Sequence, residues 1–475
     1  MKKHLTGMLI LIMTIHSYGQ QGTWVRYMGL TDYNYPSNVF EKNNKDIVIV
    51  ATTGNDKTNS NITFIVCDTN GYIIDHKIDY SENIEYVNNA ILSIDSSFII
   101  TGVTNNTNPL DYNIIVSKYS KTFNKLWTLN IGSSEKWDQG NSILEVSDGL
   151  IIGGYVSDTL TNNKNIYLGK IDLNGTKIWE KTYDFGFEEA INSLSVDITE
   201  NIIGCGYISS LTDSTSTLLV KFNSIGDTLW TRKSSYNHFN IAKSVTTSNL
   251  DIYLTGQSKS INNDTTSCFV EKFDENGNKI WNQNYYNFSG SNILYTTEDE
   301  LVIFGDYYQE FGDIECLFLK LNNGGWFISS NTGGGIDTQL GKDIKRLKSK
   351  NGYIAVGTDY HGYVGIHDIE LFKTGDNLYY DFNNLDTVLT AKTMVSPNYI
   401  TYIYPNPNQG TLLYFNNPTH QEISNFEIFN IYGEIILKKE KTKENYLNIE
   451  LNPGIYFISF FINNTVITQK FTVSK

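Results

Sequence analysis

Residues 141–184 read NSILEVSDGLIIGGYVSDTLTNNKNIYLGKIDLNGTKIWEKTYD, and four short strands parse out of them. The first is 141–146, after which Ser147-Asp148-Gly149 turns the chain into the apolar run 150–156. A polar loop leads to 165–172, and Leu173-Asn174-Gly175 turns tightly into 176–183. Asn-Gly and Asp-Gly accept the positive φ angles that short hairpin turns demand. The same turn recurs at Thr69-Asn70-Gly71 and Glu275-Asn276-Gly277. In the third strand Ile166 and Leu168 point one way, Tyr167 and Gly169 the other. Both faces are therefore apolar, as expected of a sheet sandwiched between two neighbours.

The unit repeats. Gly102, Gly154, Gly206, Gly256, Gly305 and Gly357 each close an apolar run, and Ala51 takes that place in the first copy, at gaps of 49 to 52 residues. A second ladder runs Trp24, Asp75, Trp127, Trp179, Trp230, Trp281, Trp326 and Tyr379. A third runs Val39, Ile91, Ile143, Leu194, Val245, Ile293 and Ile344. Four antiparallel strands in about 50 residues, seven times over, predict an all-β chain whose main body is a seven-bladed β-propeller. The fourth-strand Trp is expected to anchor packing between blades. That strand type occurs eight times, because Gly22-Thr23-Trp24 precedes the first full unit. The Trp24 strand is therefore expected to close the ring by docking in the blade of residues 352–373, with the Tyr379 strand displaced outward or leading into a linker.

The 475 residues carry 36 Lys+Arg against 51 Asp+Glu, a net charge of −15, and 13% are aromatic. So aromatic and weakly charged a chain is not disordered, and without a basic block it is a poor partner for nucleic acid or anionic membranes. Met1-Lys2-Lys3-His4, the apolar run 5–15 and Ser17-Tyr18-Gly19 have the form of a secretory signal peptide, residues 1–19. The apolar run is too short to span a bilayer, so no transmembrane segment is expected. Without Lys2 and Lys3 the mature chain has 34 basic residues against 51 acidic, a charge of −17. Cys67, Cys205, Cys268 and Cys316 lie in apolar runs without metal-ligand spacing and are expected to be buried thiols. Cys268 and Cys316 share a register, which leaves a disulfide between them open.

YLGKIDLNGTKIW (167–179) and FVEKFDENGNKIW (269–281), with the looser TLLVKFNSIGDTLW (217–230), resemble the repeats of secreted bacterial propellers. That resemblance covers about residues 22–383 and implies the fold rather than an activity. Asp172 and Asp274 stand one residue too far from the Trp for the Asp-box of sialidase propellers. They are expected to cap a hairpin rather than bind calcium, since no EF-hand pattern accompanies them.

Ligands of such a fold are expected on the face built from second-to-third and fourth-to-first strand loops. The first set (104–113, 157–165, 209–217, 258–267) is polar. The second is aromatic and acidic and supplies the candidate binding residues Trp137, Asp138, Phe187, Glu189, Tyr236, His238, Tyr285 and Tyr286. Flat rings beside polar side chains suit sugars, although rings at blade corners also pack against the next blade. Asp138 and Glu189 share a register on adjacent blades and could form the carboxylate pair of a glycosidase. A polar ring of Asn38, Ala90, Ser142, Ser193, Ser244, Asn292 and Asp343 is expected to border the central channel and hold ordered water, an ion site being the sharper alternative. No GxSxG, HExxH, phosphate loop or dinucleotide fingerprint is present, and His76, His238, His361, His367 and His420 are scattered. Neither a catalytic residue, a metal site nor a cofactor is assigned.

Beyond residue 383 the repeat stops, and a polar link, 384–403, leads into 404–475, where short strands read as a small Ig-like β-sandwich. Tyr404-Pro405-Asn406-Pro407 with Gly410, Gly433 after Ile431-Tyr432, Pro453-Gly454-Ile455-Tyr456 and Gln469-Lys470-Phe471 follow in order. This module resembles the type A C-terminal sorting domain of the type IX secretion system of Bacteroidetes. The resemblance implies the sorting residues Pro405, Asn406, Pro407, Gly410, Gly433, Gly454, Tyr456 and Lys470. It also implies the secretion machinery at the outer membrane as partner, and passage through the periplasm to the cell surface or the medium. The expected protein is a monomeric, non-catalytic binding or adhesion propeller for a glycan or surface protein, with a secreted carbohydrate-active enzyme as the alternative.

Overall fold

The computed structural model describes residues 22–380 except 57–58, 82, 106–110, 134, 159, 162, 211–213, 236–238, 261–264, 310–311, 334–337 and 361–364. Beyond 380 it describes 402–404, 412–416, 423–430, 434–442, 446–462 and 465–473. The signal segment and most of the sorting motif (Pro405, Asn406, Pro407, Gly410, Gly433) lie outside the described residues.

Seven four-stranded antiparallel blades follow one another along the chain, the fourth and fifth joined by a single parallel bridge from Thr215 to Phe239. Their inner strands, in order, are Tyr33–Glu41, Glu85–Leu92, Gln139–Val146, Glu188–Val196, Phe239–Thr247, Phe288–Tyr295 and Gln339–Arg346. In blades one to six each inner strand is followed outward by three more in sequence order, ending in an outer strand such as Lys177–Tyr183. Successive inner strands touch all the way round, including the first with the seventh, so the ring is closed.

The seventh blade has a different outer strand. Trp24–Met28 pairs with Asp368–Thr374, Trp24 opposite Lys373, and the ring is fastened by its N-terminal strand as the repeat count requires. After Thr374 the chain makes the turn that would lead to a fourth strand, with Leu378 at φ 70° where blade two has Phe123 at φ 61° and the other five blades use glycine. Tyr380 then tucks between blades and donates to Thr332 O at 2.7 Å.

The core is divided by interface, with one apolar cluster between each pair of neighbouring blades. Ile166 and Leu168 pack toward blade four while Tyr167 packs toward blade two, so the two-faced third strand is buried from both sides. The closing strand alternates likewise: Trp24 and Met28 face blade one, Val25 and Tyr27 face blade six.

Both sequence ladders have a mechanical cause. Each inner strand carries a bulge, as between Ile191 and Ser193, and the ladder glycine pairs with the residue just before it. A Cβ on Gly206 would stand 1.9 Å from Ala190 O, and one on Gly102 or Gly154 equally close to a carbonyl. Four tryptophans of the ladder tether a blade to the turn of the next. Trp24, Trp127, Trp230 and Trp281 donate Nε1 to Thr69, Leu173, Glu275 and Asn323 carbonyls at 3.1 to 3.3 Å, over the turn glycines Gly71, Gly175, Gly277 and Gly325. Asp172 and Asp274 accept two backbone N–H groups apiece inside those turns, so they are hairpin caps.

One ladder place was misassigned. The blade-six residue in Trp register is Ser329, opposite Lys320, because Trp326 belongs to the turn and is 66% exposed. The lysine of YLGKID, Lys170, also has a mechanical role that recurs from blade to blade. Lys118, Lys170, Lys221, Lys272 and Lys320 are nearly buried and ion-pair with Asp95, Asp148, Asp197, Asp251 and Glu300.

The four cysteines are buried free thiols, and Cys268 and Cys316 form no disulfide. In the C-terminal region a three-stranded and a four-stranded sheet enclose Leu413, Phe426, Ile428, Leu447, Ile458, Phe460 and Phe471, a two-layer sandwich. Gly454 opens its strand Gly454–Ile462, and Tyr456 stacks on Phe471 with ring centroids 5.8 Å apart.

Candidate ligand-binding cleft

The face carrying the inner-strand starts holds a cleft of about 510 Å³ across blades one to three. Blade one contributes Tyr33, Tyr35 and Pro36, and blade two contributes Tyr86, Asn88 and Tyr112. Trp137, Asp138, Gln139 and Tyr155 come from blade three, and Lys342 reaches in from blade seven. Tyr112 meets Trp137 edge-on at 5.1 Å, and Tyr33 stacks beside Tyr35 at 6.4 Å. Tyr155 donates to Gln139 Oε1 at 3.1 Å, and Lys164 lies over its ring. Burial pushes the Tyr35 and Tyr155 phenols up to about 12, so both remain neutral hydrogen-bonding groups on apolar rings. Just beyond Tyr33 and Tyr35, His367 sits 4.6 to 5.3 Å from three tyrosine rings, Tyr360 being the third.

The two sequence-proposed carboxylates do not form a pair of free acids. Asp138 is buried, its Oδ1 accepting Ser157 N at 2.8 Å and Oδ2 accepting Ser133 N at 2.9 Å. Glu189 is buried too and accepts Phe185 N at 2.6 Å. Burial raises both pKa values, and the backbone donors oppose the rise. Each sits two residues before its strand's bulge, a position also held by Asn34, Glu85, Asn240 and Gln339, all buried. Asn34 shows the purpose most fully. It accepts Leu30 and Thr31 N–H and donates to Thr31 and His367 carbonyls, fastening the loop that enters the blade. Blade six has Phe288 there. Only Asn287, at φ 57°, joins its inner strand to the preceding blade, so there is no loop to fasten.

The other proposed residues scatter. Phe187 is 38% exposed and lines a separate shallow depression with Phe185, Ile208 and Lys233. Tyr285 packs between blades five and six and donates to Gly325 O at 3.3 Å, whereas Tyr286 points to solvent. Tyr236 and His238 lie outside the described residues. Sequence reasoning overlooked Tyr33, Tyr35, Tyr86, Tyr112, Tyr155 and Lys342. The run Asp32-Tyr33-Asn34-Tyr35-Pro36 precedes a bulge as Trp137-Asp138 does, and was the available signal.

The polar ring is wall rather than lining. Asn38 accepts Ala90 N, Asn89 accepts Ile143 N, Ser142 accepts Leu194 N, Ser193 accepts Val245 N and Ser244 accepts Ile293 N. Asn292 donates to Asp343, whose other oxygen accepts Val39 N at 3.1 Å. The bulge leaves those N–H groups without a strand partner, and the preceding blade supplies one. Asn89, not Ala90, is the blade-two member. Among the described residues no group of three His, Cys, Asp or Glu side chains could hold a metal ion, and no helix is long and apolar enough to cross a membrane.

Residues 402–474 match the family model described as the secretion system C-terminal sorting domain. No curated protein matches the chain. Among solved structures it is similar to PorZ of Porphyromonas gingivalis, described as an essential surface component of the type-IX secretion system. The identity is 10% and the TM-score 0.37, over 95% of this chain and 70% of that one. It is also similar to the propeller of the Trilobed protease from Pyrococcus furiosus, at 10% identity and TM-score 0.40 over 74% and 99% of the two chains. A third is the PL25 ulvan lyase bound to a GlcA–Rha3S unit, at 10% identity and TM-score 0.47 over 74% and 96%. With its ring closed by Trp24–Met28 and its C-terminal module matched to the sorting family, the chain is a β-propeller protein bearing a type IX secretion sorting domain, exported through the periplasm to the cell surface or beyond.

Proposed function

We propose that the propeller is a non-catalytic binding module that holds a glycan in the cleft over blades one to three. The observation that supports this is the cleft's lining of tyrosine and tryptophan rings, whose one carboxylate, Asp138, is committed to backbone N–H groups. Apolar ring faces suit sugar C–H faces, while phenol and amide groups answer hydroxyls. Trp137 is 58% exposed, an unfilled platform at the cleft edge. Its replacement by alanine is expected to weaken polysaccharide binding about tenfold or more, the effect of losing a hot-spot aromatic, with the melting temperature unchanged. Retardation of the mature chain in polysaccharide-containing gels measures this; equal retardation of Trp137→Ala would sink the assignment.

A carbohydrate-active enzyme in the same cleft is the second reading, favoured by His367 between Tyr33, Tyr35 and Tyr360. It requires proton transfer from a positioned titratable group. Release of reducing ends by the wild type, abolished in His367→Ala, would establish it; retention without cleavage supports the binding reading.

A further inference from the structure

Lys342 is the extra, unpaired residue of the seventh blade's bulge and lines the cleft from an innermost strand. Its side chain is open to water, yet among the described residues it makes no hydrogen bond and no ion pair. That is unlike Lys118, Lys170, Lys221, Lys272 and Lys320, each matched to an acid within 2.9 Å. Two blades away Lys243 donates to Ser289 Oγ at 2.8 Å and lies 3.8 Å from Asp306 Oδ2. Asp306 spends its other oxygen on Gly341 N at 2.9 Å. Asp306 thus stands between the two lysines, and its charge favours the Lys342 ammonium while that of Lys243 opposes it. Among the described residues Lys342 is the one lysine or arginine that lines the cleft, in a protein of strongly negative net charge. The surrounding protein also disfavours the Lys342 ammonium, holding it below the usual lysine range, and a bound anion would relieve that cost.

We propose that the cleft selects sugar units bearing an oxyanion, a uronate carboxylate or a sulfate ester, seated on Lys342 Nζ while neighbouring rings stack on Tyr35 and Trp137. This rests on the glycan-binding reading above. Lysine presents a compact point charge that accepts either oxyanion, so the two sources share one chemistry.

The test is affinity electrophoresis of the mature full chain in gels cast with alginate (uronate), κ-carrageenan (sulfate ester) or laminarin (neutral glucan). Retardation by alginate or by carrageenan, relieved by added salt and well above that by laminarin, is expected, and the responding polymer names the source. Lys342→Met should weaken that retardation about tenfold or more, as for loss of a charge partner. Lys342→Arg should retain most of it, which separates lost charge from lost fold. If laminarin retards the wild type as strongly as the charged polymers, or if Lys342→Met with an unchanged melting curve loses nothing, the anion inference is overturned and the glycan reading stands. If none of the three polymers retards the wild type, both fall.

Discussion

Glu370 is fully buried at the seam of the ring, on the strand that the closing strand pairs with, directly opposite Tyr27. Burial raises its pKa from 4.5 to about 8, opposed by a hydrogen bond from Tyr27, and Cys316 Sγ lies 3.7 Å from Oε2. The folded chain therefore keeps a proton that the unfolded chain releases between pH 4.5 and 8. With more protons bound in the folded state, the contribution is fully present below the lower value. It falls as pH rises through the window, by at most about 1.4 kcal/mol per pH unit. Glu370→Gln, which keeps shape without the titration, should lose that slope. Thermal melts at pH 5 and pH 8 should show the variant gaining on the wild type at the higher pH. Parallel pH profiles for the two would contradict it.

At the scale of the strand, the bulge is the device on which the repeat is built. Just past it, six of the seven inner strands give one N–H to the preceding blade's side chain, and it brings a carbonyl against the second strand where only glycine fits in most blades. Gly206→Ala must move Ala190 O from 1.9 Å, so the strand pair has to separate. A loss of roughly 1–3 kcal/mol is expected, as for overpacking elsewhere. Urea unfolding measures it, and a midpoint within error of wild type would refute the steric explanation. This device was legible in the sequence because steric exclusion leaves a residue-type signature at a fixed period. The braces were not. A carboxylate between aromatic loop residues reads alike whether it faces a ligand, as proposed for Asp138 and Glu189, or folds back onto Phe185 N. The cleft was half legible. Trp137 stood out locally, but Lys342 joins Tyr35 only because the ring closes over some 300 residues of intervening chain.

At the scale of the molecule, the closing strand buries Trp24, Val25, Tyr27 and Met28 between blades one, six and seven. At about 1.5–3 kcal/mol per buried side chain, its docking is worth roughly 6–12 kcal/mol, the whole stability of an ordinary domain. A mature chain lacking residues 20–31 should therefore expose the strand Asp368–Thr374, bind a hydrophobic dye and self-associate. A synthetic peptide of residues 20–31 should reverse both effects. A truncated chain that stays monomeric and melts like wild type would show the seam to be dispensable. The same strand also sets an order in time. It is among the first parts of the mature chain to be made, and its partner strand lies some 345 residues later. The ring therefore cannot lock until the chain has been made through Thr374, and the six blades before it wait on an unfastened seam.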